Sequence, residues 1–430
     1  MWCGGPCYAV KVTGKVRHEE EGLRGRSHIQ QALLVLGFVL LAANLRPALT
    51  SVAPLIGQIR TDTEISNGVA GLLTGLPLLA FAVLSPIAPR LARRFGMEWV
   101  LLASLLVIAA GILLRSAGAV AALFLGTAVL GAAIAVGNVL LPSLVKREFP
   151  ERTGLMTSTY STALAVSAAI AAGASFPITE QAGIGWRGSL ALWALLALVA
   201  AVVWFPQIRS ADLANASTGT SREVTGLWSS ALAWQVTLFM GLQSLGYYVV
   251  LTWLPQILQE EVGMSAAQAG WMLALAQVVV IPAMFLAPVL ADRKPSQYGV
   301  VVAAVTLTGA GTLGLLVAAS TVTPLWVVLL GLGQGACFSL ALTFFALRAP
   351  DSEQAAALSG MAQSVGYLLA AGGPFLFGVL RDATHGWTVP LALLFAVALC
   401  LLITGLGSAR DAHVTTPGTA SATHAPEDEG

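Results

Sequence analysis

Long apolar runs, separated by short polar punctuation, recur along the whole chain. A run of about 20 apolar residues crosses a bilayer as a helix. The pattern predicts twelve such spans, near 30–58, 66–89, 98–117, 119–145, 154–178, 188–206, 231–258, 266–291, 298–319, 324–347, 355–380 and 388–407. The longest polar interruption, Gln207 to Ser230, divides the chain almost in half and reads as a linker. The expected organisation is a tail (1–28), a six-helix half (29–206), the linker (207–230), a second six-helix half (231–407) and a tail (408–430).

The halves repeat. Gly185-Trp186-Arg187 precedes Leu190-Ala191-Leu192, and Gly386-Trp387-Thr388 precedes Leu391-Ala392-Leu393 at the equivalent place. Arg147 with Pro150-Glu151 closes the fourth span; Arg348 with Pro350-Asp351 closes the tenth. Repeated halves are a common plan of secondary transporters, with the substrate site between them.

Composition narrows the class. Of 430 residues, 57% are hydrophobic and 10% charged, against about 25% charged in soluble domains. So few charges cannot cover a soluble surface, and the chain reads as an all-α, polytopic membrane protein. Lys and Arg set its orientation. With the N-terminus inside, the cytoplasmic segments hold Arg90, Arg93, Arg94, Lys146, Arg147, Arg152, Arg209, Arg222, Arg293, Lys294, Arg348 and Arg410, besides the basic N-terminal tail. The outer loops and outer span ends hold only Arg60, Arg115, Arg187 and Arg381. Both tails are therefore expected in the cytoplasm, and the membrane is expected to be the inner one. The N-terminal tail lacks the apolar core of a cleavable signal, and the C-terminal tail has a disordered composition.

Arg46 is a fixed charge inside the first span, within Asn44-Leu45-Arg46-Pro47-Ala48-Leu49-Thr50. Such a charge costs roughly 2.5–3.5 kcal/mol on insertion scales, and Arg cannot shed its proton. Pro47 removes a backbone donor beside it. Charge, kink, Asn44 and Thr50 together point to a ligand site facing the bundle interior. A structural Arg satisfied by neighbouring carbonyls is the alternative.

The loop after the eighth span reads Ala287-Pro288-Val289-Leu290-Ala291-Asp292-Arg293-Lys294, and the loop after the second Ala88-Pro89-Arg90-Leu91-Ala92-Arg93-Arg94-Phe95-Gly96. Both resemble the G-x-x-x-D-R-x-G loop of the major facilitator superfamily. Pro replaces the first Gly in both, and Arg93 stands where the first copy usually has Asp. The resemblance implies gating roles for Arg93, Arg94, Asp292 and Arg293. Within that superfamily the chain resembles the cyanate and 2-nitroimidazole transporter family, through residues 44–52 of the first span, Gly241-Leu242-Gln243-Ser244-Leu245-Gly246-Tyr247-Tyr248 and Trp253-Leu254-Pro255 of the seventh, and Trp186-Arg187 with Ser189-Leu190-Ala191. The resemblance implies a small solute, cyanate-like or nitroaromatic. Thr127 stands where drug–proton antiporters of the superfamily usually carry Arg, and Gly173-Ala174-Ser175-Phe176-Pro177 lacks their Gly-Pro signature. Export of neutral drug-like compounds is the weaker alternative.

No Asp or Glu lies in the middle of a predicted span, so the sequence gives no basis for proton coupling. The lone midspan charge is positive, which favours an anionic or strongly polar solute; the planar guanidinium fork suits carboxylate-like or nitro-like groups. The neutral midspan candidates are Asn138, Tyr160, Gln243, Tyr247, Gln277, Gln334, Gln363 and Tyr367. Gln243 with Tyr247, and Gln363 with Tyr367, each share a helix face. For each of these, an interhelical hydrogen bond is the plainer alternative. Tyr248 reads as a packing residue, rotated away from Tyr247.

Cys3 and Cys7 lack partners for a metal site, and Cys337 and Cys400 read as small packing residues. No nucleophile–base pair and no phosphate loop is present, so neither an enzyme nor an ATP-driven pump is expected. No cofactor, metal or nucleic acid is expected, and the chain is expected to act as a monomer in the bilayer. A non-transporting sensor on the same fold would need signalling segments that the short tails do not provide.

Overall fold

The computed structural model describes residues 28–149, 152–208, 227–292, 296–350 and 352–414. Among them are twelve helices long and apolar enough to cross a membrane. These run Gln31–Thr63, Asn67–Leu84, Met97–Arg115, Val120–Val145, Leu155–Gln181 and Gly185–Ile208 in the first half. The second half has Ala231–Val262, Ala266–Ala291, Tyr298–Val317, Thr323–Leu347, Ala357–Thr384 and Thr388–Ser408. Local signals fix several ends. Ser66 and Ser230 cap the second and seventh spans, accepting from Val69 N at 3.2 Å and Ala233 N at 3.4 Å. The first and seventh spans both end on a left-handed residue, Glu64 (φ 56°) and Gly263 (φ 75°).

Two expected boundaries shift. The second span stops at Leu84, and the basic loop after it is itself a helix, Ala88–Phe95. Pro86 and Pro89 in quick succession end one helix and start the next. The first span is interrupted: His28–Asn44, Pro47–Thr50, Ala53–Leu55 and Ile56–Thr63 follow one another with short turns between.

Helix packing repeats between the halves. Spans one with five and six, two with four, and three with four and six pack together. Their counterparts are seven with eleven and twelve, eight with ten, and nine with ten and twelve. The halves meet through a reciprocal pair of contacts, two with eleven and five with eight. Span two approaches span eleven closely because glycines remove the intervening side chains. A Cβ at Gly75 would stand 2.7 Å from Ala371 O, and one at Gly68 2.7 Å from a Val379 methyl.

The two ends of the bundle differ. At the end away from the linker, polar groups tie the halves together. Asp382 accepts from Asn67 Nδ2 (2.6 Å) and Gly68 N (3.0 Å) at the start of span two. Gln256 Nε2 donates to Asn67 Oδ1 at 3.1 Å and to Glu260 Oε1 at 2.6 Å. Arg381 holds Glu260 Oε2 at 2.8 Å, and Trp387 Nε1 donates to the same oxygen at 2.9 Å. At the linker end, two arginines make ties within their own halves. Arg147 pairs with Glu98 at the start of the third span. Its counterpart Arg348 holds Gln297, just before the ninth span, and donates to Ser408 O at 2.8 Å.

Candidate functional site

The break in the first span follows from its sequence. Pro47 has no N–H, so the helix cannot continue its ladder through that position. Leu45 N instead reaches Ala42 O at 3.1 Å in a tighter turn. The turn at Leu45 and Arg46 swings the Arg46 side chain toward the space between the halves. The flanking polar residues point elsewhere. Asn44 is buried and donates to Leu40 O at 2.8 Å and Leu196 O at 3.3 Å, tying the first span to the sixth. Thr50 is buried and its hydroxyl back-bonds to Arg46 O at 3.2 Å. Neither lies on the wall of the central cavity.

That cavity, of about 1250 Å³, is lined from spans one, two, four, five, seven, eight, ten and eleven. Arg46, Asn138, Tyr160, Gln243, Tyr247, Gln277, Gln334, Gln363 and Tyr367 all reach its wall. At its deep end Arg46 Nη1 donates to Tyr247 OH at 3.5 Å, with the guanidinium carbon 5.5 Å from the ring centre. Tyr247 OH in turn donates to Gln277 Oε1 at 2.9 Å. Gln363 is engaged with Ser359 Oγ at 2.8 Å. Tyr160 meets Phe38 edge-on at 6.1 Å, and Tyr367 meets Phe81 edge-on at 5.5 Å. Gln243 donates to Ser244 Oγ at 2.7 Å. With Gln334 it also borders a second chamber of about 20 Å³, room for about one water molecule.

Tyr248 packs as expected, buried within the core, and it has a second place as well. It lies on the cavity wall, with its ring centre 5.1 Å from that of Tyr247 and nearly perpendicular to it. Gln243, Ser244, Tyr247 and Tyr248 all line the cavity, so the cavity-lining stripe of the seventh span is two residues wide. A step of about 100° between neighbours does not remove Tyr248 from so broad a face. Other wall residues escaped the sequence reading because they are ordinary in membrane helices: Phe81, Ser161, Ser244, Phe338, Ser339 and Ser364. Arg115 was also missed as an interior residue; it donates to Ala48 O at 2.6 Å from the far side of the first span.

Among the described residues no Asp or Glu lines the cavity. The site is therefore a cation framed by hydroxyls and amides, with aromatic faces around it. It can hold the negative end of a small ligand and stack its flat part. The wall continues to Ser85, Pro86, Leu227 and Trp228, so the cavity reaches the linker end while the opposite end is sealed by Asp382 and its partners. Of the loop residues, Arg93 and Arg94 are exposed in the last turn of Ala88–Phe95. The Asp292 side chain and all of Arg293 lie outside the described residues, as do Cys3, Cys7, most of the linker and the last part of the C-terminal tail.

Comparison with known proteins agrees with this architecture. A family model described as Major Facilitator Superfamily matches residues 33–374 and 237–422. The chain is 44% identical over 393 residues to the 2-nitroimidazole transporter of Escherichia coli (strain K12), covering 91% of this chain and 98% of that protein. It is 31% identical over 370 residues to the cyanate transport protein CynX of the same organism, covering 86% and 94%. Among solved structures, a D-xylose-proton symporter superposes with a TM-score of 0.67 at 16% identity, over 90% of this chain and 99% of that one; at such identity the likeness speaks for the fold alone.

Proposed function

The chain belongs to the Major Facilitator Superfamily, and from that premise we propose that it is a secondary active transporter of a small anionic or strongly polar solute, cyanate-like or nitroaromatic. One observation carries the reading: Arg46, close to the middle of its span, opens onto a cavity with no carboxylate among its described lining residues. A buried guanidinium without a protein counter-ion leaves its charge available to a ligand. The relatives named for 2-nitroimidazole and cyanate transport support the same class. The edge-on aromatic pairs at the wall favour its planar members.

Transport proceeds by alternating access, with Arg46 and Tyr247 at the fixed site and the halves rocking about it. Gln277, Gln334, Gln363 and Tyr367 complete the ligand's surroundings. Asn138 and Tyr160 form the wall contributed by the first half. The protein sits in the inner membrane with both termini in the cytoplasm, a reading supported by the Lys and Arg distribution. The linker end then faces the cytoplasm, and the cavity opens inward.

The test is uptake into vesicles of labelled cyanate, nitrite, benzoate and 2-nitroimidazole, with and without imposed potential and pH gradients. Accumulation of at least one of these above protein-free vesicles, competed by the others, is expected. Transport confined to neutral or cationic drug-like compounds would replace this reading with the exporter alternative. A thiol label that reached a cysteine at position 182 only from the cytoplasmic side would reverse the orientation.

A further inference from the structure

The third span ends on Arg115, a side chain only 1% exposed. Its Nη1 donates to Ala48 O at 2.6 Å, while Nε and Nη2 are buried without a hydrogen-bond partner. A guanidinium cannot neutralise itself, and unpaired buried donors add to the cost of burying it. The position is also tight: a Cβ at Gly126 of the fourth span would stand 2.7 Å from Arg115 Cβ. Something must offset so unfavourable a placement.

The repeat supplies a control. A Cβ at Gly111 would meet Leu130 N and Gly126 O, and one at Gly311 would meet Leu330 N and Trp326 O, so Arg115, four residues beyond Gly111, corresponds to Leu315, four beyond Gly311 in the ninth span. Leu315 is a buried apolar side chain of the core. Packing at this point of the scaffold therefore does not call for a charge. What differs is the backbone it faces. In the seventh span, Val249 is the counterpart of Ala48, and it lies inside the unbroken helix Ala231–Val262. In the first span, Val52 N turns to Leu49 O at 3.4 Å, instead of bonding Ala48 O as a continuous helix would. The break strips that carbonyl of its helical donor, and Arg115 replaces the donor.

Ala48 lies two residues beyond Arg46. We infer that Arg115 is a positioning residue: it holds the broken segment of the first span in place and thereby fixes where Arg46 presents its guanidinium. A charged donor suits this task, because a charge-assisted bond is about twice as strong as a neutral one. The inference rests on the reading of Arg46 as the ligand's anchor, and its consequences for the backbone can be measured without any ligand.

Full-length protein is compared as wild type, Arg115→Met, Arg115→Lys, Arg46→Gln and the double variant Arg46→Gln/Arg115→Met. Amide exchange over residues 49–53 is expected to quicken at least tenfold in Arg115→Met, with the third and fourth spans unchanged. Arg115→Lys, which keeps one charged donor, should restore most of the protection. Affinity for benzoate, nitrite, cyanate and 2-nitroimidazole, by calorimetry, should weaken about tenfold in Arg115→Met for whichever of them binds wild type. In the Arg46→Gln background the same substitution should weaken it no further, since groups acting as a unit are not additive. Unchanged exchange at 49–53, exchange raised evenly across the third and fourth spans, or a fully additive double variant would each overturn the inference. Should Arg115→Met fail to fold, Arg115→Gln, which loses the charge and keeps only a neutral donor, carries the exchange test, and wild-type exchange at 49–53 in that variant would likewise overturn the inference. If Arg46→Gln itself leaves all binding intact, the ligand reading fails while the exchange result still decides the role of Arg115.

Discussion

The first and seventh spans occupy equivalent places in their halves and are built oppositely. The first is broken at Leu45 and Arg46 and again at Ser51 and Val52, and it carries the cation. The seventh runs unbroken for 32 residues from Ala231 to Val262 and carries Gln243, Tyr247 and Tyr248. A continuous helix holds its side chains at fixed steps, so neutral donors and aromatic faces stand in a defined stripe. A broken helix can turn one long side chain out of register with its neighbours, which is how Arg46 reaches the cavity while Asn44 and Thr50 do not. The scaffold is symmetric and its chemistry is not. One half supplies the charge, and the other supplies the groups that orient it.

The sharpest way to break this comparison is Arg46→Ala. Hydrogen bonds to charged groups are worth about 1.5–3 kcal/mol, so affinity for an anionic ligand should fall about 10- to 100-fold. Arg46→Lys should fall between, because it keeps the charge and loses the planar fork. Melting temperature should hold or rise, since an unpaired buried charge is costly. A well-folded Arg46→Ala protein transporting at the wild-type rate would end the division of labour between the spans. Tyr247→Phe removes the hydroxyl joining Arg46 to Gln277. With about 1 kcal/mol for such a bond, we expect affinity to weaken roughly fivefold, and by less when Arg46 is already Ala. Equal losses in both backgrounds would separate the two residues.

The same contrast extends to the sealed end, where a carboxylate of the second half caps a helix of the first. Asp382→Asn should weaken that cap by about 0.3–1 kcal/mol. A cysteine at Thr252, whose native hydroxyl meets that of Thr74 at 2.6 Å, should then label about two- to fivefold faster from the end opposite the linker. No change in labelling would remove Asp382 from the seal. The smallest effect concerns the ends of the compared spans. Glu64 holds a left-handed conformation (φ 56°) where the seventh span has Gly263. Glu64→Gly should stabilise by about 1 kcal/mol or less, raising the melting temperature by roughly 1–3 °C. A fall would mean the Glu64 side chain contributes more than its backbone costs.

The spans themselves were legible because twenty apolar residues in a row have few other readings. Arg46 stood out for the same reason, as a lone charge in an apolar run. The nine candidate residues on the wall were legible as polar groups that a lipid-facing surface would not tolerate. The packing role of Tyr248 was legible; its place on the cavity wall was not, because helical rotation says how far apart two side chains point but not how wide the cavity is. Arg115 was hidden by its place at a span end, where an arginine ordinarily reaches the headgroups. Only the break in the first span gives it an inward partner, and a break's hydrogen-bond needs follow from three-dimensional packing. The ties of Asp382 to Asn67 and of Glu260 to Arg381 were hidden in the same way, because those partners lie on helices far away in sequence.

Arg46 and Tyr247 share a repeat position and touch each other across the axis relating the halves. A dimer of two identical six-helix subunits would set like against like at that point. Two guanidiniums would repel, and two phenols would bring no charge. Because both halves lie on one chain, each copy of the position is free to differ, and an unlike pair stands where symmetry would otherwise forbid it. Non-identity of the halves is thus the condition for this particular pairing: two different subunits could preserve it, whereas a homodimer of either half could not.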